Sequence, residues 1–103
     1  MVKEISESEF KDAVKEGVSV VDFSATWCGP CQMLKPVFQE VSSDFEGKVK
    51  FFSVDVDSAP DLSRELGIMA VPSLFIFKDG EQKSTASGFQ PKEVLAKWIS
   101  ETL

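Results

Sequence analysis

Histidine is absent from the 103-residue sequence, and cysteine occurs only twice, as Cys28 and Cys31. A structural zinc site draws on four thiolate or imidazole ligands. One copy of this chain would have to complete such a site with carboxylates, so no metal is expected in a monomer; four thiolates shared between two chains remain the only open arrangement. Positive charge is scarce too. Eleven Lys and Arg stand against seventeen Asp and Glu, for a net charge of −6, and the cations are scattered rather than clustered, so no nucleic-acid footprint is expected. No apolar run approaches the roughly 20 residues that cross a bilayer. The opening Met1-Val2-Lys3-Glu4-Ile5 also lacks the basic and apolar succession of a secretory leader, so a soluble cytoplasmic protein without membrane contact is expected. With no repeat, low-complexity tract or linker, residues 1–103 read as a single ordered domain, long enough to bury roughly 60–70% of its unfolded surface.

Both cysteines lie in one stretch, Ala25-Thr26-Trp27-Cys28-Gly29-Pro30-Cys31-Gln32-Met33, between an apolar strand pattern (Val18 to Phe23) and a helical one (Leu34, Val37, Phe38, Val41, Phe45). In a reducing compartment a lone Cys-x-x-Cys points to metal or to redox chemistry. Two thiols separated by Gly29-Pro30 can close and reopen a small disulfide. The first turn of a helix offers unpaired N–H groups and partial positive charge, which stabilise a thiolate. Cys28, at or near the N-cap, is therefore the expected nucleophile, and Cys31, one turn further in and less accessible, the resolving thiol.

Asp22 is the anomaly of the strand before the pair, because a carboxylate in an apolar strand is costly unless hydrogen-bonded, hydrated or neutral. Six residues ahead of Cys28, it can lie beneath the helix start and take the proton of Cys31, directly or through one water. It can equally face an edge and bond to a turn. Lys35, two turns beyond Cys28 on the same face, reads as a solvated lysine that could also add positive potential near the thiols.

The rest of the chain supplies a frame. Residues 2–5 suggest a short strand, and Ser6-Glu7-Ser8-Glu9 fits a capping box opening a helix to about Gly17, with Phe10, Ala13 and Val14 buried. Pro36 should kink the helix after the cysteines. Val49 to Val56 reads as a strand, Pro60 starts a short helix ending at Gly67, and Leu74 to Phe77 form the next strand. Base rates for X-Pro bonds favour a trans bond at Val71-Pro72, although a cis bend at the mouth of that strand is compatible with the pattern. Lys78-Asp79-Gly80-Glu81 signals a hairpin leading into a polar edge strand from about Gln82 to Ser87. A last helix begins at Pro91, with Val94, Leu95, Trp98 and Ile99 as its apolar face. The order β-α-β-α-β-α-β-β-α gives an α/β fold: a central mixed five-stranded sheet flanked by four helices, with reactive groups at the carboxyl end of a central strand.

Taken together, Trp27-Cys28-Gly29-Pro30-Cys31, Asp22, Pro36, Val71-Pro72-Ser73, Lys78-Asp79-Gly80 and Gly88 resemble the thioredoxin family over essentially the whole chain. The resemblance implies the thioredoxin fold and a small cofactor-free carrier that reduces disulfides in target proteins and maintains cell redox homeostasis. It implies re-reduction by thioredoxin reductase, a flavoprotein using NADPH. Cys28 matches the family's attacking cysteine, Cys31 its resolving cysteine, Asp22 its buried acid and Pro72 its cis-proline. Trp27, Ala70, Val71, Pro72 and Gly88 match the surface over which target proteins lie, where the Val71 backbone can pair with substrate by strand addition. A monomer is expected. Three residues depart from the pattern: Ser24 stands for a frequent second tryptophan, Ser53 for a lysine that often pairs with the buried acid, and Ser73 for the commoner threonine. Two other roles fit the same fold, an oxidase or isomerase and a binding module that does no chemistry. The first usually carries a His between the cysteines, and the second would bind partners without Cys28 and Cys31.

Overall fold

A computed structural model describes all residues, 1–103. The elements are β1 (Val2–Glu4), α1 (Phe10–Ala13), β2 (Val18–Ser24), α2 (Gly29–Asp44), β3 (Lys50–Asp55), a 3-10 turn (Val56–Ser58), α3 (Pro60–Glu65), β4 (Ser73–Lys78), β5 (Glu81–Ser87) and α4 (Lys92–Thr102). The strands form one sheet in the order β1-β3-β2-β4-β5. β1, β3 and β2 run parallel, while β4 is antiparallel to both β2 and β5. The fold class is the one the element order implies.

The apolar character of β2 has a direct structural reason: it is the middle strand and both its faces are covered. Val21 and Phe23 join Phe10 of α1 and Leu62 of α3 in one core. Val20 faces the other way, into a core built with Leu34, Phe38 and Val41 of α2 and Leu95 and Ile99 of α4. Leu34 and Val41 are wholly buried, so α2 is held firmly over the sheet, and truncating such a leucine to alanine costs roughly 2–5 kcal/mol. Asp22 alternates with Val21 and Phe23 and so shares the α2 side of the strand with Val20.

Several local expectations are corrected. The reciprocal bonds of the box form, with Ser6 N–H donating to Glu9 Oε1 (2.9 Å) and Glu9 N–H to Ser6 Oγ (3.3 Å), but they close a turn, and α1 opens only at Phe10 with Glu9 as its N-cap. The regular helix nevertheless ends at Ala13 rather than near Gly17. There the Lys50 ammonium donates to the Ala13 carbonyl, and Lys15 N–H turns back to Asp12 in 3-10 fashion. α2 runs through Pro36 as one continuous helix, as a kinked helix also does. In α4 the apolar face is narrower than the sequence suggests: Leu95 and Ile99 are buried, but Val94 is 50% exposed. Trp98 is partly buried and donates its indole N–H to Ser84 Oγ. The hairpin turns on Asp79 (φ 51°) and Gly80 (φ 84°), both left-handed, as a two-residue turn of this hand requires. Asp79 also exchanges two hydrogen bonds with Gly17, fastening the hairpin to the turn before β2.

Candidate active site

β2 ends at Ser24 and α2 begins at Gly29, so Cys28 is the N-cap of α2 at the carboxyl end of the central strand. Cys28 and Cys31 are joined as a disulfide, with Cα atoms 5.2 Å apart. Cys31 N–H donates to Cys28 Sγ at 3.2 Å, placing that sulfur at the positive end of a sixteen-residue helix. The expected contrast in accessibility is not found. Cys28 is 5% exposed and Cys31 3%, so the two sulfurs differ in surroundings instead.

On the Cys28 side, the Val71-Pro72 bond is cis, as the resemblance implied and the base rates did not. The Val71 carbonyl oxygen lies 3.7 Å from Cys28 Sγ. Two hydrogen bonds fix this bend: Ser73 Oγ donates to the Ala70 carbonyl (2.6 Å), and Gly88 N–H donates to the Pro72 carbonyl (2.9 Å). Ala70, Val71, Pro72 and Gly88 are thus tied into one short segment pair, Pro72 buried and Ala70 exposed. Trp27 is 71% exposed, yet its indole N–H donates to Asp57 Oδ2 at 2.9 Å. Asp57 is held by its own N–H to Asp55 Oδ1. Sequence reasoning missed Asp57; the Asp55-x-Asp57 spacing at the end of β3 was the available signal for an Asx turn. It also missed three further exposed apolar residues, Met33, Met69 and Phe89, the last two being chain neighbours of Ala70 and Gly88.

On the Cys31 side lies a cleft of about 300 Å³ whose walls include Cys31, Asp22, Ser24, Ser53, Asp55 and Lys35. Asp22 faces this cleft, not a sheet edge. It is 5% exposed, its Oδ1 has no hydrogen-bond partner within the protein, and burial pushes its carboxyl up to about 7. Ser53 is paired with Asp22 across the strands. It brings a hydroxyl and no charge, so nothing next to Asp22 offsets the loss of solvation. The group is poised to exchange a proton near neutrality. The reactive groups the site offers are its own two sulfurs.

A redox-cycling cysteine pair capping a helix, at the end of the central strand of a five-stranded sheet and beside a cis-proline, defines the class of dithiol–disulfide oxidoreductases. The chain belongs to the thioredoxin family, whose profile matches residues 1–101. It is similar to the thioredoxin of Staphylococcus saprophyticus, 43% identical over 99% of this chain and 98% of that one. The thioredoxins of Staphylococcus haemolyticus and Staphylococcus aureus are each 41% identical over the same shares. Among solved structures, chloroplastic thioredoxin z superimposes with a TM-score of 0.88 at 33% identity, over 97% of this chain and 92% of that one. The protein is accordingly a dithiol redox carrier with protein-disulfide reductase activity. No helix is long and apolar enough to cross a membrane.

Proposed function

We propose that Cys28 attacks, Cys31 resolves and Asp22 takes the proton of the Cys31 thiol. The observation that supports this most is the division of surroundings: Cys28 Sγ meets the Cys31 N–H and the Val71 carbonyl, whereas Cys31 shares its cleft with Asp22. In the reduced protein the Cys28 thiolate attacks one sulfur of a target disulfide, forming a mixed disulfide and releasing the other target sulfur as a thiolate. Asp22 takes the proton of the Cys31 thiol, directly or through a water in the cleft. The Cys31 thiolate then attacks Cys28 Sγ, expelling the second target sulfur. Two electrons pass to the target and the protein is left with its own disulfide.

Targets are read as lying across Trp27, Ala70, Val71, Pro72 and Gly88, with Gly29 and Pro30 shaping the loop and the Val71 backbone pairing with an extended segment. The electron donor is read as a thioredoxin reductase of the NADPH-dependent flavoprotein type, acting in the cytoplasm on a single-domain monomer. The absence of a histidine between the cysteines favours reduction over an oxidase role. Insulin reduction in dithiothreitol, run with Cys28→Ser and Cys31→Ser, tests the assignment alongside redox titration of the pair. Both variants should lose turnover, and only Cys31→Ser should trap a target as a mixed disulfide. Trapping by Cys28→Ser instead would reverse the two roles, and a strongly oxidising potential would move the protein to the oxidase class.

A further inference from the structure

The cleft behind Cys31 has a floor laid out by the register of the sheet. Glu4, Ser53 and Asp22 stand in one cross-strand row, and Ser24 and Asp55 in the row nearer the disulfide. All five residues line the cleft. Two strand spacings separate Glu4 from Asp22, about 10 Å between backbones. The roof is α2, and its one cation on the cleft is Lys35, a single turn beyond Cys31. Lys35 is exposed and forms no ion pair or side-chain hydrogen bond, so its flexible stem leaves the ammonium free to lean toward the cleft. Charged groups therefore face Asp22 from three elements: Glu4 from β1, Asp55 from β3 and Lys35 from α2. β4 presents only Leu74 in the same row. Ser53 leaves Asp22 without a charged neighbour in direct contact, and burial is the cause of its raised carboxyl; a rim charge reaches it only across the cleft.

We propose that Lys35 is a positioning residue for the exchange reaction, acting across the solvated cleft to favour the ionised form of Asp22 against the opposing charges of Glu4 and Asp55. The lysine does not touch the reacting sulfurs. It biases the group that receives the Cys31 proton, and in this the inference rests on the role given to Asp22 above. Glu4 is the natural counter-probe, since it is exposed and its side chain makes no hydrogen bond, whereas Asp55 holds the turn at Asp57.

The test is a carbon-13 NMR titration of the Asp22 carboxyl in the full oxidised chain, for the native protein, Lys35→Gln, Lys35→Arg and Glu4→Gln. Lys35→Gln should raise the Asp22 midpoint by on the order of half a pH unit, Glu4→Gln should lower it, and Lys35→Arg should leave it in place. The pH profile for release of a trapped target should move in the same directions. A Lys35→Gln midpoint equal to the native one overturns the proposal, as does an equal rise in Lys35→Arg, which would mark a packing effect. The two readings fail separately: if Asp22→Asn resolves mixed disulfides at the native rate, the proton role of Asp22 falls, while the NMR midpoints still report whether Lys35 acts on it.

Discussion

Asp22 opposes folding whenever it is charged. Its carboxyl rises from 3.8 to about 7 on burial, so the folded state holds this proton more tightly than the unfolded state. Well below pH 3.8 the group is protonated in both states and exacts nothing. As pH climbs from about 4 to about 7 the unfolded chain ionises while the folded one keeps its proton, and stability is lost; above about 7 both states ionise and the loss levels off. Asp22→Asn should therefore stabilise the oxidised protein by roughly 2–4 kcal/mol at about pH 8, and by almost nothing near pH 3. Urea denaturation at the two pH values checks this, and a pH-independent difference would contradict it. The anomaly was readable because a lone carboxylate interrupts an apolar strand. Its orientation was not, since register follows from pairing with Ser53 and Leu74, residues far along the chain. The buried hydroxyl of Ser19, which lacks a partner, has no explanation in the structure.

Elements were legible where a local rule governs them and less so where distant residues intervene. The Asp79-Gly80 turn and the start of α2 at the cysteines depend on neighbours a few residues away, and both form as read; the Ser6–Glu9 bonds form too, but close a turn ahead of α1 rather than its first turn. At the end of α1 the Ala13 carbonyl is taken by Lys50, thirty-seven residues distant, and the exposure of Val94 follows from how α4 is seated. α3 shows the same dependence in its capping. Its N-cap, Ala59, supplies no side-chain bond, and the N–H of Leu62 is satisfied at 2.7 Å by Glu7 Oε1 from the segment before α1. Glu7→Ala should cost about 1–2 kcal/mol and speed hydrogen exchange of the Leu62 amide, with Glu7→Gln milder because it keeps an acceptor. Unchanged exchange at Leu62 would show that solvent serves the amide as well.

At the scale of the whole molecule, a net charge of −6 steers encounters. Cationic peptide disulfides should be reduced faster than anionic ones of equal length, on the order of tenfold at low salt. The ratio should collapse toward unity as the screening length shrinks from about 30 Å at 0.01 M to about 3 Å at 1 M. Stopped-flow rates across that range would show it, and equal rates at low salt would mean that local contacts alone set the preference. The sheet order has a different consequence, for synthesis. Cys28 and Cys31 are three residues apart and can meet as soon as they leave the ribosome, but their surroundings are assembled from both directions along the chain. Asp22 is flanked by β3 and β4, and the carbonyl over Cys28 belongs to Val71. A nascent chain that has emerged only as far as residue 60 thus exposes an untuned pair of thiols, vulnerable to any oxidant. The rest of the polypeptide, beyond residue 60, turns that pair into a selective reagent.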